Sequence, residues 1–264
     1  HNVALRVEET DDADKFKVSG RGELHLSILI EQMRREGFEL AVSRPEVITK
    51  EVDGQMCEPY EYCQLDIETD HQGVIMEILG ERDGELKNMM PDNKGRINLE
   101  YVIPAKSLIG FHTEFLSLTK GTGLMSHIFD HFGPVTKKAA ANRTKGVLIS
   151  GFNGKALGYS LFNLQERGQL IVSHGEEVYE GMLIGIHSRN NDLVVNPTKA
   201  KQLTNIRAAG TDENIVLTTP LNFSLEQNIA VINNDELVEI TPKSIRLRKK
   251  LLSETDRKRV SRQS

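Results

Sequence analysis

Apolar Cys63, Leu65 and Ile67 alternate with Gln64, Asp66 and Glu68, the period of a strand with one buried face. Val74, Ile75, Ile78 and Leu79 then recur at helical spacing, behind Asp70 as the expected N-cap. A short strand over 86–90 and a turn at Pro91-Asp92-Asn93-Lys94-Gly95 follow, and Ile97, Leu99, Tyr101 and Ile103 alternate as a further strand. Leu108, Phe111, Phe115 and Leu118 mark a second helix ended by Gly121, and 124–132 reads as a last strand. The order βαββαβ is that of the ferredoxin-like split βαβ arrangement.

The first fifty residues repeat part of this pattern. Val3, Leu5 and Val7 alternate, Phe16 and Val18 begin a second strand, 22–36 is helical with Leu26, Leu29 and Met33 on one face, and Phe38, Leu40 and Val42 alternate before Pro45. From Gly146 onward, short apolar runs at 147–149, 156–162, 170–172, 182–186 and 193–195 are separated by glycines and turn residues, which predicts a small strand-rich barrel or curled sheet. Residues 196–212 interrupt it without strong periodicity, a length that inside a compact domain marks a functional or disordered segment. A strand at 215–218, a helix opened by Ser224 and a strand at 237–240 follow. The expected class is α+β. A truncated ferredoxin-like domain occupies 1–48, a complete one 49–135, and a barrel-like C-terminal domain 136–264. The sheet edge left by the truncation is expected to weaken the first.

Composition adds an asymmetry. The 264 residues carry a net charge of −5, yet residues 1–136 hold 14 basic against 25 acidic side chains and residues 137–264 hold 19 against 13. An acidic half joined to a basic half is the pattern expected where one end meets nucleic acid, the alternative being charges on solvated faces. With 38% hydrophobic residues and a mean hydropathy of −0.37 the chain reads as globular, and no apolar run is long enough to span a membrane. Two cysteines, Cys57 and Cys63, cannot staple a domain of this size and read as free thiols of the cytoplasm.

A search for reactive chemistry finds none. Gly154-Lys155-Ala156 has Ile149 where a phosphate loop needs its first glycine and Ala where it needs a hydroxyl. Gly20-Arg21-Gly22 lacks the third glycine of a dinucleotide fingerprint. His127 and His131 sit on a strand, about 13 Å apart, without a third ligand. Cys57 and Cys63 lack the knuckle spacing of structural zinc. The run 187–192 reads as a polar turn that cannot place a base behind a nucleophile. No catalytic residue and no metal site are expected. What remains is electrostatic: Lys199, Lys201 and Arg207 on the long segment, Lys137, Lys138, Arg143 and Lys145 before the C-terminal domain, and Arg246, Arg248, Lys249 and Lys250 near its end. Such side chains can follow a phosphate backbone.

Several motifs resemble a known family. G-R-G-E-L-H-L at 20–26 is similar to the third domain of elongation factor G-type translational GTPases, and E-P-Y-E at 58–61, G-E-R-x-G at 80–84, I-P at 103–104, L-I-G-F at 108–111 and S-L-T-x-G-T-G at 117–123 are similar to their fifth. Y-E-G-M-L-I-G-I-H-S-R at 179–189, L-T-N-I-R at 203–207, G-T-D-E at 210–213 and D-E-L-V-E-I-T-P at 235–242 resemble the C-terminal domain of the BipA (TypA) family. The resemblance implies two ferredoxin-like domains and a chain that lacks the GTPase and second domains of that family, so that GTP and Mg belong to the absent part. It also implies a monomeric, cytoplasmic partner of the 70S ribosome, linked to large-subunit assembly and to growth under stress or cold. The long segment would reach large-subunit rRNA and the acceptor end of A-site tRNA, with RNA contact carried by Lys199, Lys201 and Arg207 and more weakly by His187 and Arg189. A competing reading is a protein-interaction module whose acidic front half docks ribosomal proteins.

Overall fold

The computed structural model describes residues 5–92, 94–136, 143–201 and 215–262. They fall into two compact units, Pro45–Asn142 and a second that joins His1–Arg44 to Arg143–Ser264. The second unit opens with β1 (Arg6–Glu9) and β2 (Phe16–Ser19), an antiparallel pair, followed by α1 (Glu23–Arg35) and β3 (Leu40–Val42).

The Pro45–Asn142 unit runs β4 (Lys50–Val52), β5 (Gln55–Glu68), α2 (Gln72–Glu81), β6 (Glu85–Pro91), β7 (Arg96–Pro104), α3 (Ala105–Leu108), α4 (Phe111–Leu118) and β8 (Leu124–Pro134). β5 pairs antiparallel with β7 on one side and β8 on the other, and β6 adds to β7. With β4 as an extra hairpin arm, the remaining elements follow the expected βαββαβ order. Side chains alternate across the pleat, so Leu65, Ile67, Leu99 and Ile103 meet Ile75, Leu79, Phe111 and Phe115 of the helices in one core. Two local expectations change. A 3₁₀ turn at Thr69–His71 leads into α2, so Asp70 caps nothing, and Gly110, at φ 74°, splits the second helix into α3 and α4. Buried Glu58 of the E-P-Y-E motif ties the end of β8 to the unit. It accepts from Lys106 Nζ (3.0 Å), Thr136 N (2.7 Å) and Thr136 Oγ1 (3.0 Å).

The remainder of the second unit comprises β9 (Val147–Ser150), β10 (Gly154–Lys155), α5 (Gly158–Leu164), β11 (Gly168–Leu170), β12 (Glu177–Val178), β13 (Leu183–His187), β14 (Leu193–Val195), α6 (Leu225–Val231), β15 (Glu236–Ile240), β16 (Ile245–Lys249) and α7 (Glu254–Ser261). Among the described residues no closed barrel forms. The strands make an open sheet ordered β11-β13-β9-β14, a β10-β12 pair and a three-stranded sheet β16-β15-β3. The reason is visible in β9 and β13, which are buried on both faces. Val147, Ile149 and Leu183 point into a core with Ile30, Ile229, Val238 and Ile240, while Leu148 and Ile184 point into another with Leu161, Leu170 and Val178. A sheet flanked by two cores has no single lumen to curl around.

Three further expectations are corrected here. The apolar run at 156–162 becomes helix α5, and residues 215–218 form no strand. β3 does not close a sheet with β1 and β2, which stay a two-stranded pair among the described residues, but pairs antiparallel with β15. Ser224 does open α6, through a capping box in which its Oγ accepts from Gln227 N and its own N–H donates to Gln227 Oε1.

Candidate RNA-facing site

The long basic segment leaves the fold at the end of β14. There Asn196 Oδ1 accepts from Thr198 N (2.9 Å) and Thr198 Oγ1 (2.8 Å), its carbonyl accepts from Ser160 Oγ, and Leu157 N donates to Pro197 O at 2.9 Å. Lys199 and Lys201 follow this anchored turn and are exposed. The segment returns at residue 215. Gln165, which caps the C-terminus of α5, holds it from both ends of its amide: Nε2 donates to Val216 O (3.1 Å), and Oε1 accepts from Thr218 N (2.9 Å). Leu221 N then donates to Leu170 O at 2.8 Å. Both stems are thus fastened beside α5. Arg207 lies outside the described residues.

His187 and Arg189 stand elsewhere. β14 is three residues long, about 10 Å, with the 187–192 turn at one end and the 196–201 segment at the other. The structure therefore does not bring Lys199 and Lys201 together with Arg189 and His187. His187 is only 3% exposed, and its Nδ1 faces Asn191 O at 2.5 Å across the turn. It is placed to shape the turn rather than to meet a ligand. Arg189 is exposed while its carbonyl accepts from Gly146 N at 2.8 Å. A Cβ on Gly146 would lie 2.1 Å from Asn191 O, so only glycine lets the chain pass here. Ser188 N donates to Arg167 O at 2.8 Å, which sets exposed Arg167 beside the same turn. Sequence reasoning passed over Arg167, because a single arginine after a helix carries no pattern.

The flanking basic clusters are largely spent inside the fold. Arg143 forms a bidentate pair with buried Glu236, Nη2 to Oε1 at 2.8 Å and Nη1 to Oε2 at 3.1 Å. Lys249, 2% exposed, reaches Asp192 (2.7 Å), Asp235 (2.7 Å) and Glu236 (2.9 Å). Arg246 and Arg248 share Glu239. The carboxylates of Asp192, Asp235 and Glu236 cluster closely enough to hold a metal ion, but the Lys249 ammonium stands among them as the counter-charge. Burial pushes the Glu236 carboxyl up, yet the Arg143 and Lys249 charges and the Asn233 N–H outweigh it and hold it below the ordinary range. Burial likewise pushes Lys249 down, and its three carboxylates more than reverse this. Lys145 and Lys250 remain exposed, and Lys137 and Lys138 lie outside the described residues.

A family model described as the TypA/BipA C-terminal domain matches residues 145–254, and one described as the elongation factor G C-terminus matches residues 55–143. The chain is 60% identical over 262 residues, 99% of its length, to a Salmonella typhimurium protein named large ribosomal subunit assembly factor BipA, of which it covers 43%. Proteins of the same name from Haemophilus influenzae and Buchnera aphidicola are 60% and 58% identical over 99% of the chain, which covers 42% and 43% of them. The chain spans less than half the length of these curated relatives. Two domain models in tandem, with such identity along nearly every residue, make it a member of the TypA/BipA family that carries that family's C-terminal domain.

Proposed function

We propose that this chain is the ribosome-binding, RNA-contacting region of a translational GTPase of the cytoplasm that acts in large-subunit assembly. The observation that carries the reading is the pinned stem at 196–198 and 216–221, which presents exposed Lys199 and Lys201 in a chain 60% identical to a named large-subunit assembly factor. In this reading Lys199, Lys201 and Arg207 neutralise phosphates of large-subunit rRNA or of the A-site tRNA acceptor end, Arg189 adds a second contact, and His187 holds the turn that carries Arg189. In the same reading GTP and Mg belong to parts of the longer protein outside this chain, and the chain acts as a monomeric binding module. Residues 1–48 would belong to a further ferredoxin-like domain, read on the G-R-G-E-L-H-L resemblance.

Binding to purified 70S ribosomes across a salt series tests this. Replacing Lys199, Lys201 and Arg207 with Ala should weaken binding and flatten the slope of log K against log salt by about 2, from roughly 0.7 per lost phosphate contact. Unchanged affinity and slope would refute it. One observation favours a second reading, docking of a basic ribosomal protein on the Pro45–Asn142 unit. There Tyr62 pairs with both Val102 and Ile128 on one sheet face, with Glu100 nearby on the register, and Ile128 is 68% exposed. Glu100→Lys should then cost more affinity than the loop variant.

A further inference from the structure

A cavity of about 260 Å³ lies within the unit built from His1–Arg44 and Arg143–Ser264. Its walls come from α1, the segment before α6, and the β15–β16 turn with β16. Arg34, Lys243 and Arg246 bring three cationic side chains to it, and Leu221, Phe223 and Ile245 supply an apolar wall. The Arg34 Nη1 donates to Pro242 O at 3.3 Å, which holds that guanidinium against the turn bearing Lys243.

Local carboxylates do not match these cations. Glu31 is shared by Arg34 (2.8 Å) and Arg35 (2.9 Å). Glu239 is shared by Arg246 (4.0 Å), Arg248 (3.5 Å) and the Tyr179 hydroxyl (2.8 Å). Glu176, also on the wall, is engaged with the Ser173 N–H at 3.0 Å. Among the lining residues, Arg34, Lys243 and Arg246 thus stand with Glu176 as the one lining carboxylate, while Glu31 and Glu239 reach Arg34 and Arg246 from outside the lining and are shared with other donors. The sharpest sign is Arg246 Nε, which is buried and has no hydrogen-bond partner among the described residues. A buried donor on a charged group is costly to leave unmet.

We propose that this cavity is a site for a phosphomonoester of mononucleotide size, a ligand that no role assigned above to the 196–214 segment requires. The phosphate would take the Arg246 and Lys243 donors, as guanidinium and ammonium groups commonly do. The apolar wall would carry the sugar or ring. The volume is several times the roughly 30 Å³ share of one water and lies just below the range of drug-sized pockets, which suits one phosphorylated unit rather than two.

Titration calorimetry of the full chain with 5′-AMP, adenosine and inorganic phosphate tests the proposal. Saturable 1:1 binding of 5′-AMP is expected, with adenosine at least tenfold weaker. Arg246→Gln and Lys243→Ala should each weaken 5′-AMP roughly tenfold, the worth of one charge-assisted hydrogen bond. Because Arg246 also pairs internally, Asn222→Asp provides a second arm. Asn222 is exposed on the cavity wall, and a carboxylate there should repel the phosphate without disturbing the fold, checked by circular dichroism. The triple loop variant should bind 5′-AMP like the parent. No saturation up to about 10 mM, equal binding of adenosine, or insensitivity to both Lys243→Ala and Asn222→Asp would overturn the assignment. Displacement of 5′-AMP by an RNA oligonucleotide without terminal phosphate would overturn the monoester in favour of a strand phosphate.

Discussion

Glu236 is the sharpest place to test the electrostatics of the C-terminal domain. Its carboxylate is fully buried and accepts from four donors: Arg143 Nη2 at 2.8 Å, Arg143 Nη1 at 3.1 Å, Lys249 Nζ at 2.9 Å and Asn233 N at 2.9 Å. Glu236→Gln keeps the shape but offers one oxygen where two are used, and turns an NH₂ toward groups that themselves donate. At least two charge-assisted bonds are lost, and two buried cations lose their shared counter-ion. Removing one partner of a buried pair costs about 3–5 kcal/mol. Lys249 keeps Asp192 and Asp235, so the lower end, about 3 kcal/mol at pH 7, is expected. The chain has two compact units and no Trp, so urea titration should be followed by amide hydrogen exchange resolved by unit. The loss should appear in the unit containing Arg143–Ser264 and leave Pro45–Asn142 unchanged. The sign of the pH dependence follows from the lowered folded-state pKa. The carboxylate's contribution is complete above its ordinary value of 4.5 and is lost as pH falls through the folded value, so the gap between parent and variant should narrow only below about pH 4.5. A loss under about 1 kcal/mol at pH 7, or a gap independent of pH, would refute the assignment of an ion-paired Glu236.

Gly146→Ala should destabilise the same unit by about 2–4 kcal/mol in a urea melt, because its Cβ would lie 2.1 Å from a backbone oxygen that cannot rotate away. An effect below about 0.5 kcal/mol would mean the 187–192 turn gives way easily. Gln165→Ala should speed amide exchange at Thr218 while costing the whole unit only about 1 kcal/mol, and unchanged exchange there would show that the amide is not what holds the returning stem. Burial and then Glu61 push the Cys63 thiol up to about 12, so it should resist iodoacetamide at pH 8 until urea unfolds the chain. Prompt native-state labelling, read by mass spectrometry, would contradict that environment.

The Pro45–Asn142 unit was legible because its central strands β5 and β7 each have one wetter face and so write their period into the sequence, as Leu65, Ile67, Leu99 and Ile103 do. The C-terminal domain was less so for the opposite reason. β9 and β13 are apolar on both sides, and a short apolar run such as 156–162 reads equally as helix or strand until its neighbours are known. Charge misled in the same way. Arg143 and Lys249 look like surface cations in a list of residues, but Glu236 lies 93 positions from one and 13 from the other, and proximity of that kind is invisible to a linear pattern. Lys199 and Lys201 were singled out by composition and lie exposed beside the anchored turn, whereas the amide of Gln165 that fastens the returning stem gave no signal at all.

The pairing of β3 with β15 sets an order of events during synthesis. Residues 40–42 wait for residues 238–240 before their sheet can close, and the whole Pro45–Asn142 unit emerges in between. Because that unit is contiguous, it can fold as soon as it leaves the ribosome, whereas its neighbour must close a loop of nearly two hundred residues around an already folded insert. A nascent chain stalled before residue 236 would thus carry one finished unit and one unpaired strand, and chaperone demand should concentrate in that interval.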